Sequence, residues 1–381
     1  MERTFIFGVS VSGDNFTDRI EETKHLTQNF ANGLNTILIS PRRTGKTSLV
    51  NKVCDNFTGN PKICIARMDI YDCRNEYDFY NKFATSVLKA TSSRMEQILE
   101  TAKEFLYRVV PQMSISPDPT AGYSFSLKIN PKDMSSDEIL SLPERIAAKK
   151  NIRIVICIDE FQQIGDFPDS IQVQKRLRGA WQHQKFTSYC LYGSRKPMME
   201  NLFQSRRMPF YQFGDTIHLG NIPTKDWITY IQSRFEYAGK KISETLAGKI
   251  CTAVDNFPSY VQQLAWNVLN ETEAETTDKN IEDAIEKLLI QCSPLFIQQT
   301  ENLTSYQMNF LRAVCSGITD GFGKQSVSEE FGLGSKSNIS RLIKSLTNKE
   351  LIDRDKNGII ISDPVFRIWF KRLWTTGNKI G

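Results

Sequence analysis

The chain is poor in histidine and has no two cysteines close in sequence. Three histidines (His25, His183, His218) occur among 381 residues, none four residues from another. This excludes helical histidine metal motifs and leaves a histidine triad little material. The eight cysteines stand at 54, 64, 73, 157, 190, 251, 292 and 315 with no C-x-x-C pair. Neither a dense disulfide framework nor a zinc ribbon has that spacing, so free thiols are expected. No apolar run approaches the roughly 20 residues of a membrane-spanning helix. The opening residues Met1–Gly8 are too short and too acidic for a signal peptide. The expectation is a cytoplasmic protein with no membrane partner. There is no internal repeat and no low-complexity tract. Neither charge sign dominates: 48 Lys+Arg against 43 Asp+Glu leaves +5, with 40% apolar and 24% charged residues. That is ordinary globular usage and excludes disordered or fibrous classes. Single cores stop growing at roughly 250–300 residues, so two or three are expected.

Strands and helices alternate over the first 220 residues. Asn35–Ser40 is a short apolar run followed by a loop containing Pro41 and Gly45. Leu49, Val50, Val53, Cys54 and Phe57 then recur at helical spacing. Ile63–Ile70 reads as a second strand and 76–89 as a helix. From 92 to 130 lies an insertion whose tail, Met113–Ser116 and Tyr123–Ile129, alternates like a hairpin around a turn-rich centre. Ser135 with Glu138 forms a capping box for a helix to about Lys149. Ile152–Ile158 is the most β-branched run and suits a central strand covered on both faces. A helix near 173–181, a strand at Ser188–Gly193 and another at Thr216–Leu219 follow. Alternation of this kind predicts an α/β fold with a doubly wound parallel sheet. From 224 to 300 the pattern is wholly helical. Beyond Thr304 come three short helices and an extended pair over 352–362 that turns at Asn357-Gly358.

The motif that carries chemistry is Ser40-Pro41-Arg42-Arg43-Thr44-Gly45-Lys46-Thr47-Ser48. It matches G-x-x-x-x-G-K-[ST] except that serine replaces the first glycine. A strand entering such a loop aims backbone N–H groups and the positive end of the next helix at one point, where phosphates bind. Gly45 permits close backbone approach, Lys46 reaches the β and γ phosphates, and the Thr47 hydroxyl holds Mg²⁺. The partner signal is Asp159-Glu160 at the C-terminal edge of the third strand, where open α/β sheets bind ligands. Asp159 reads as the second Mg²⁺ residue and Glu160 as the group that polarises the attacking water. The Cβ of Ser40 is expected to crowd the loop and slow turnover or weaken binding.

These residues resemble a known family. Pro41–Ser48 and Ile158-Asp-Glu-Phe-Gln162 are similar to the signatures of prokaryotic AAA-type P-loop ATPases of the STAND and archaeal-ATPase group. Phe16-Thr-Asp-Arg19 resembles a segment that lies near the adenine in that group, with Ile20 where the family usually has glutamate. Asp363-Pro-Val-Phe-Arg-Ile-Trp369 resembles the ending that follows the family's winged helix. The resemblance implies an ATPase core at 1–222, a helical lid at 223–300 and a winged helix-turn-helix domain at 301–381. It also implies ATP with Mg²⁺ as the ligands. Ser194, after the strand expected beside Asp159, looks like the polar sensor of the γ-phosphate, or else a helix-capping serine. Arg206 and Arg207 stand where related ATPases often place an arginine that reaches a neighbouring subunit's nucleotide, which would make the protein a homo-oligomer, but exposed arginines before Pro209 are more often simply solvated. Pro258 resembles the lid proline near the nucleotide, although as the first residue of a helix it requires no functional explanation.

The helix over 335–348 has an apolar stripe of Ile339, Leu342, Ile343 and Leu346. Lys336, Ser337, Asn338, Arg341, Lys344, Ser345 and Asn348 offer donors suited to phosphates and base edges. From Ser335 onward ten basic residues face four acidic ones, a net +6 that exceeds the charge of the whole chain. A basic winged helix of this kind fits double-stranded DNA, and fits also a protein-docking module. Two functions follow. One is a slow ATPase whose nucleotide state drives a switch coupled to the winged helix. The other is a DNA-binding regulator or defence component that holds ATP structurally with little turnover. A small-molecule P-loop kinase is disfavoured, because the winged helix would have no part in it.

Overall fold

The computed structural model describes residues 4–11, 13, 16–92, 95–105, 110–115, 123–128 and 136–375. The chain divides into two compact units, Arg19–Gly220 and a second made from Met1–Asp18 with Asn221–Gly381.

In the first unit, the elements are α1 (Ile20–Asn32), β1 (Thr36–Ile39), α2 (Lys46–Asp55), β2 (Ile63–Asp69), α3 (Glu76–Thr91), α4 (Met95–Phe105), β3 (Val110–Ile115), β4 (Tyr123–Lys128), α5 (Ser136–Leu140), α6 (Leu142–Lys150), β5 (Arg153–Asp159), α7 (Ser170–Trp181), β6 (Thr187–Gly193), α8 (Lys196–Gln204) and β7 (Asp215–His218). Five strands form a parallel sheet in the order β2-β5-β6-β1-β7, and β3 with β4 forms a separate antiparallel pair. Burial follows from position. The inner strands β1 and β6 are buried at every residue and β5 at all but its two ends, while edge strand β2 is mostly half-buried or exposed. Parallel strands covered on both faces must be apolar throughout, which is why their sequences do not alternate. In register, Ile39 of β1 lies opposite Gly193 of β6, and Ile158 of β5 opposite Leu191 of β6. The segments after these three strands therefore leave from one edge of the sheet.

Trp181 lies at the centre of this unit's core. It stacks on Tyr189 at 4.0 Å between ring centroids and has Phe161, Phe210 and Phe213 within 6.2 Å. Phe161, the first residue of a 3₁₀ turn over Phe161–Asp166, is thereby anchored immediately after Glu160. The described cysteines are all free thiols.

The helix expected over 135–149 is two helices, α5 and α6, broken at Ser141. Pro143 has no N–H to donate to the preceding turn, so the helix restarts with proline in its first turn. Ser135 and the hairpin's turn-rich centre lie outside the described residues.

The second unit continues with α9 (Thr224–Tyr237), α10 (Glu244–Ala253), α11 (Pro258–Glu271), α12 (Asp278–Glu301), α13 (Ser305–Cys315), α14 (Gln325–Phe331), α15 (Lys336–Asn348), β8 (Ile352–Asp355), β9 (Gly358–Ile361) and α16 (Pro364–Thr375). Strands β8 and β9 pair antiparallel around Lys356-Asn357, so the turn starts one residue earlier than the sequence pattern suggests. The last helix, α16, has no counterpart among the elements expected from the sequence. Asp363 begins it, its Oδ1 accepting the N–H groups of Val365 and Phe366 at 2.9 Å. Its Oδ2 accepts the Tyr260 hydroxyl at 2.5 Å. Phe366 and Trp369 then pack against Phe296 of α12 at 5.4 and 5.6 Å. One apolar cluster runs from Trp227 through Phe296 and Phe310 to Phe370 and includes Phe5 from the start of the chain.

No helix among the described residues is long and apolar enough to cross a membrane. Truncating Trp181 removes the ring that six aromatic neighbours share. Trp181→Ala is expected to cost about 3–5 kcal/mol of stability, measured as a lower urea midpoint.

Candidate active site

The loop between β1 and α2 is built around buried polar groups. Gly45 sits at φ 90° as the residue preceding α2, with open space where a Cβ would be. No side chain caps that helix and its first turn carries no acid, so its N–H groups and positive dipole end face the loop. Arg43 is also left-handed, at φ 61°. Ser40, Thr44, Lys46 and Ser48 are buried, whereas Arg42, Arg43 and Thr47 are exposed and Pro41 is half-buried.

Ser40 has a specific place in this network. The Thr44 hydroxyl donates to the Pro41 carbonyl at 2.9 Å. The Ser40 hydroxyl donates to the same carbonyl at 3.2 Å, and the Ser40 and Thr44 hydroxyls share a hydrogen bond at 2.6 Å. Ser40 Oγ in turn accepts from the Lys46 ammonium at 3.1 Å. Lys46 Nζ donates also to the carbonyls of Ser40 and Pro41, at 3.2 and 2.7 Å. The serine side chain, expected to crowd the loop, is instead a relay within it. Glycine at that position would supply only the carbonyl.

Across the sheet edge, the Thr47 hydroxyl donates to Asp159 Oδ2 at 2.9 Å, and Asp159 Oδ1 accepts the Glu160 N–H at 2.8 Å. Burial pushes the Asp159 carboxyl up to about 6; its bonds to Thr47 and Glu160 only partly oppose this, and Glu160 and Asp69 add like charge. Glu160 itself is held at φ 53°, in the left-handed region, where β5 passes into the 3₁₀ turn. Its Oε2 accepts from Ser194 Oγ at 2.9 Å and from the Gln162 amide. Ser194 follows β6, the strand paired with β5, as the sequence suggested.

The structure therefore gathers Lys46, Thr47, Asp159, Glu160 and Ser194 at the C-terminal edge of three adjacent strands. It places other candidates differently. The Arg19 guanidinium is buried and already engaged: it donates to the carbonyls of Thr44 at 3.2 Å and Gly220 at 2.6 Å and pairs with Glu22 at 3.0 Å. Arg19 thus braces the loop from behind. Arg206 and Arg207 lie exposed in the turn after α8, with no ion pair among the described residues. Phe16 is half-buried and Pro258 is the first residue of α11; both belong to the other unit. In that unit Lys336, Ser337, Arg341 and Lys344 are exposed on or at the start of α15, while Asn338 is half-buried with its amide donating to the Leu333 carbonyl at 2.8 Å. Ser345 accepts from Gln307 at 2.9 Å, joining α15 to α13. The sequence offered no role for Gln162, although it stands two residues from Glu160.

The fold compares closely with solved structures. A Walker-type ATPase of Pyrococcus abyssi superposes with a TM-score of 0.70 over 97% of this chain and 100% of its own, at 14% identity. This chain has the fold of a Walker-type P-loop ATPase. The ORC2 protein of Aeropyrum pernix, in ADPNP–ADP complexes, matches at TM-score 0.54 and 14% identity over 97% of this chain and 96% of its own. The family model described as "probable winged helix domain" matches residues 294–372, from within α12 to within α16. No curated protein matches the sequence significantly.

The raised Asp159 carboxyl gives the site a pH signature. With its folded value near 6 above the ordinary 3.8, the folded protein keeps a proton that the unfolded chain releases between about pH 4 and 6. Stability from this group therefore falls as pH rises through that window and stays lower above it. In magnesium-free buffer, Asp159→Asn should gain stability over wild type progressively from pH 4 to 6 and level off beyond. Urea midpoints across pH measure it, and a pH-independent difference would contradict it.

Proposed function

We propose that the chain binds ATP with Mg²⁺ at this site and hydrolyses it slowly, as a nucleotide-driven switch coupled to a DNA-binding winged helix. The 2.9 Å hydrogen bond from Thr47 to Asp159 carries the reading, because it brings the phosphate-loop helix and the acidic strand edge to one point.

The residues fit the metal. A hydroxyl and a carboxylate side by side are hard oxygen donors of the kind magnesium takes. The carboxylate is half-buried, with Glu160 and Asp69 adding like charge, so a divalent cation would restore its ionised form. Thr47 and Asp159 would hold the ion, which when bound offsets charge on the phosphate oxygens. The N–H groups at the start of α2 and the Lys46 ammonium bind the phosphates. Glu160 orients a water and takes its proton. The water oxygen bonds to the terminal phosphorus as the bond to the bridging oxygen breaks, giving ADP and inorganic phosphate. Exposed Arg206 and Arg207 are the candidates to reach the nucleotide of a neighbouring copy.

One observation favours the second reading, in which ATP is held with little turnover: Lys46 already has three oxygen acceptors within the loop. Whichever rate holds, Lys46→Ala should weaken ATP binding about 100-fold or more, and Glu160→Gln should keep binding while lowering hydrolysis about 100-fold. Calorimetric titration and phosphate release measure these. Equal hydrolysis by wild type and the glutamine variant would remove Glu160 from its role, and wild-type turnover below detection would leave the second reading.

Duplex DNA is supported by the basic residues on α15 and the β8–β9 pair. Lys336, Arg341, Lys344, Lys349, Arg354 and Lys356 are exposed and have no ion pair among the described residues. Phosphate contacts release counterions, so affinity should fall steeply with salt. Arg341→Ala and Lys344→Ala should each flatten the log–log salt slope by about 0.9 in fluorescence anisotropy with duplex DNA. Binding indifferent to salt would discard the DNA assignment.

A further inference from the structure

Two donors from different elements meet a single oxygen of Glu160. Ser194 arrives from the end of β6 and Gln162 from the 3₁₀ turn, and both bond Oε2. Among the described residues the other oxygen, Oε1, accepts nothing. A carboxylate held in this way by one oxygen cannot rotate freely, and its second oxygen keeps one direction.

Gln162 is a costly residue at that place. Its side chain is 3% exposed, and its amide oxygen is buried with no partner among the described residues. The amide cannot be reversed to relieve this, because its oxygen would then face the carboxylate. A buried unpaired carbonyl lowers stability, and an apolar side chain of similar volume would avoid the penalty. Gly193 is the complementary half of the arrangement. Its φ is not left-handed, so backbone freedom does not account for it. Space does: a Cβ at 193 would overlap the Gln162 amide oxygen and approach Gln162 Cδ to 3.0 Å and Met199 Sδ to 3.1 Å. The backbone on the other side is fixed as well, since Glu160 is left-handed and Phe161 is sunk in the aromatic core.

We infer that Gln162 is the positioning residue for Glu160: admitted by the absent side chain at 193, its amide shares Oε2 with Ser194 and leaves Oε1 directed at water. The inference deepens the ATPase reading and rests on it.

The test uses the full chain with ATP and Mg²⁺, measuring phosphate release, affinity for a fluorescent ATP analogue and the thermal midpoint. Gln162→Met keeps the volume and removes the donor. It should lower kcat about tenfold or more, leave nucleotide affinity within about threefold, and hold or raise the midpoint. A merely structural glutamine would lower the midpoint instead. Gly193→Ala should reproduce the kcat loss by displacing the amide. In a Gln162→Ala background the same glycine change should alter kcat by less than about twofold, because the clash is gone. Wild-type turnover retained in Gln162→Met overturns the inference alone. Absence of Lys46-dependent turnover in the wild type removes the ATPase reading and the inference together.

Discussion

The hydrogen bond between Thr47 and Asp159 joins residues 112 apart in sequence, and it exists only because a third strand separates theirs. β1 and β5 are not neighbours; β6 lies between them. With strands about 4.8 Å apart, their C-terminal ends stand about 10 Å from each other. The loop after β1 crosses part of that width, and α2 begins where its first exposed hydroxyl meets the carboxylate from β5. β6 brings Ser194 and Gly193 into the middle of the gap. The arrangement depends on register: a one-residue slip of β6 would turn Tyr192, rather than Gly193, toward Gln162.

Much of this was legible from residue types. The five parallel strands follow from β-branched runs, Lys46, Thr47, Asp159 and Glu160 from motif spacing, and Ser194 from the family resemblance. Helix α16 was legible too, but only by treating Asp363-Pro364 as a helix start, with the acid as cap and proline at the first helical position. Helix α1 had Glu21 and Glu22 in its first turn and Gly33 at its end, signals that the charged, weakly apolar sequence around them obscured. What could not be read was partnership at long range. Nothing local says that Arg19 reaches the Thr44 carbonyl or that Gln162 turns back to Glu160, because both depend on which segment the fold places alongside.

The serine at the head of the loop illustrates the same limit. From sequence its Cβ is an obstruction where glycine is usual. In the fold its hydroxyl links lysine to threonine, so the substitution adds order to a loop that glycine would leave looser. A hydrogen-bonded loop is better preorganised, and on the proposed ATPase reading its ammonium would exchange partners before meeting a phosphate.

The unit formed from residues 1–18 and 221–381 has a consequence for synthesis on the ribosome. Phe5 packs against Tyr230 and Phe235, and the Ile6 N–H bonds Gln262 at 3.3 Å. At about 5–20 residues per second, the nascent amino-terminal segment waits roughly 10–50 s for those partners to emerge. The sheet-containing unit can form in that interval, while a phenylalanine intended for another core stays uncovered. The order of translation therefore leaves Phe5 without its packing partners until α9 has been made.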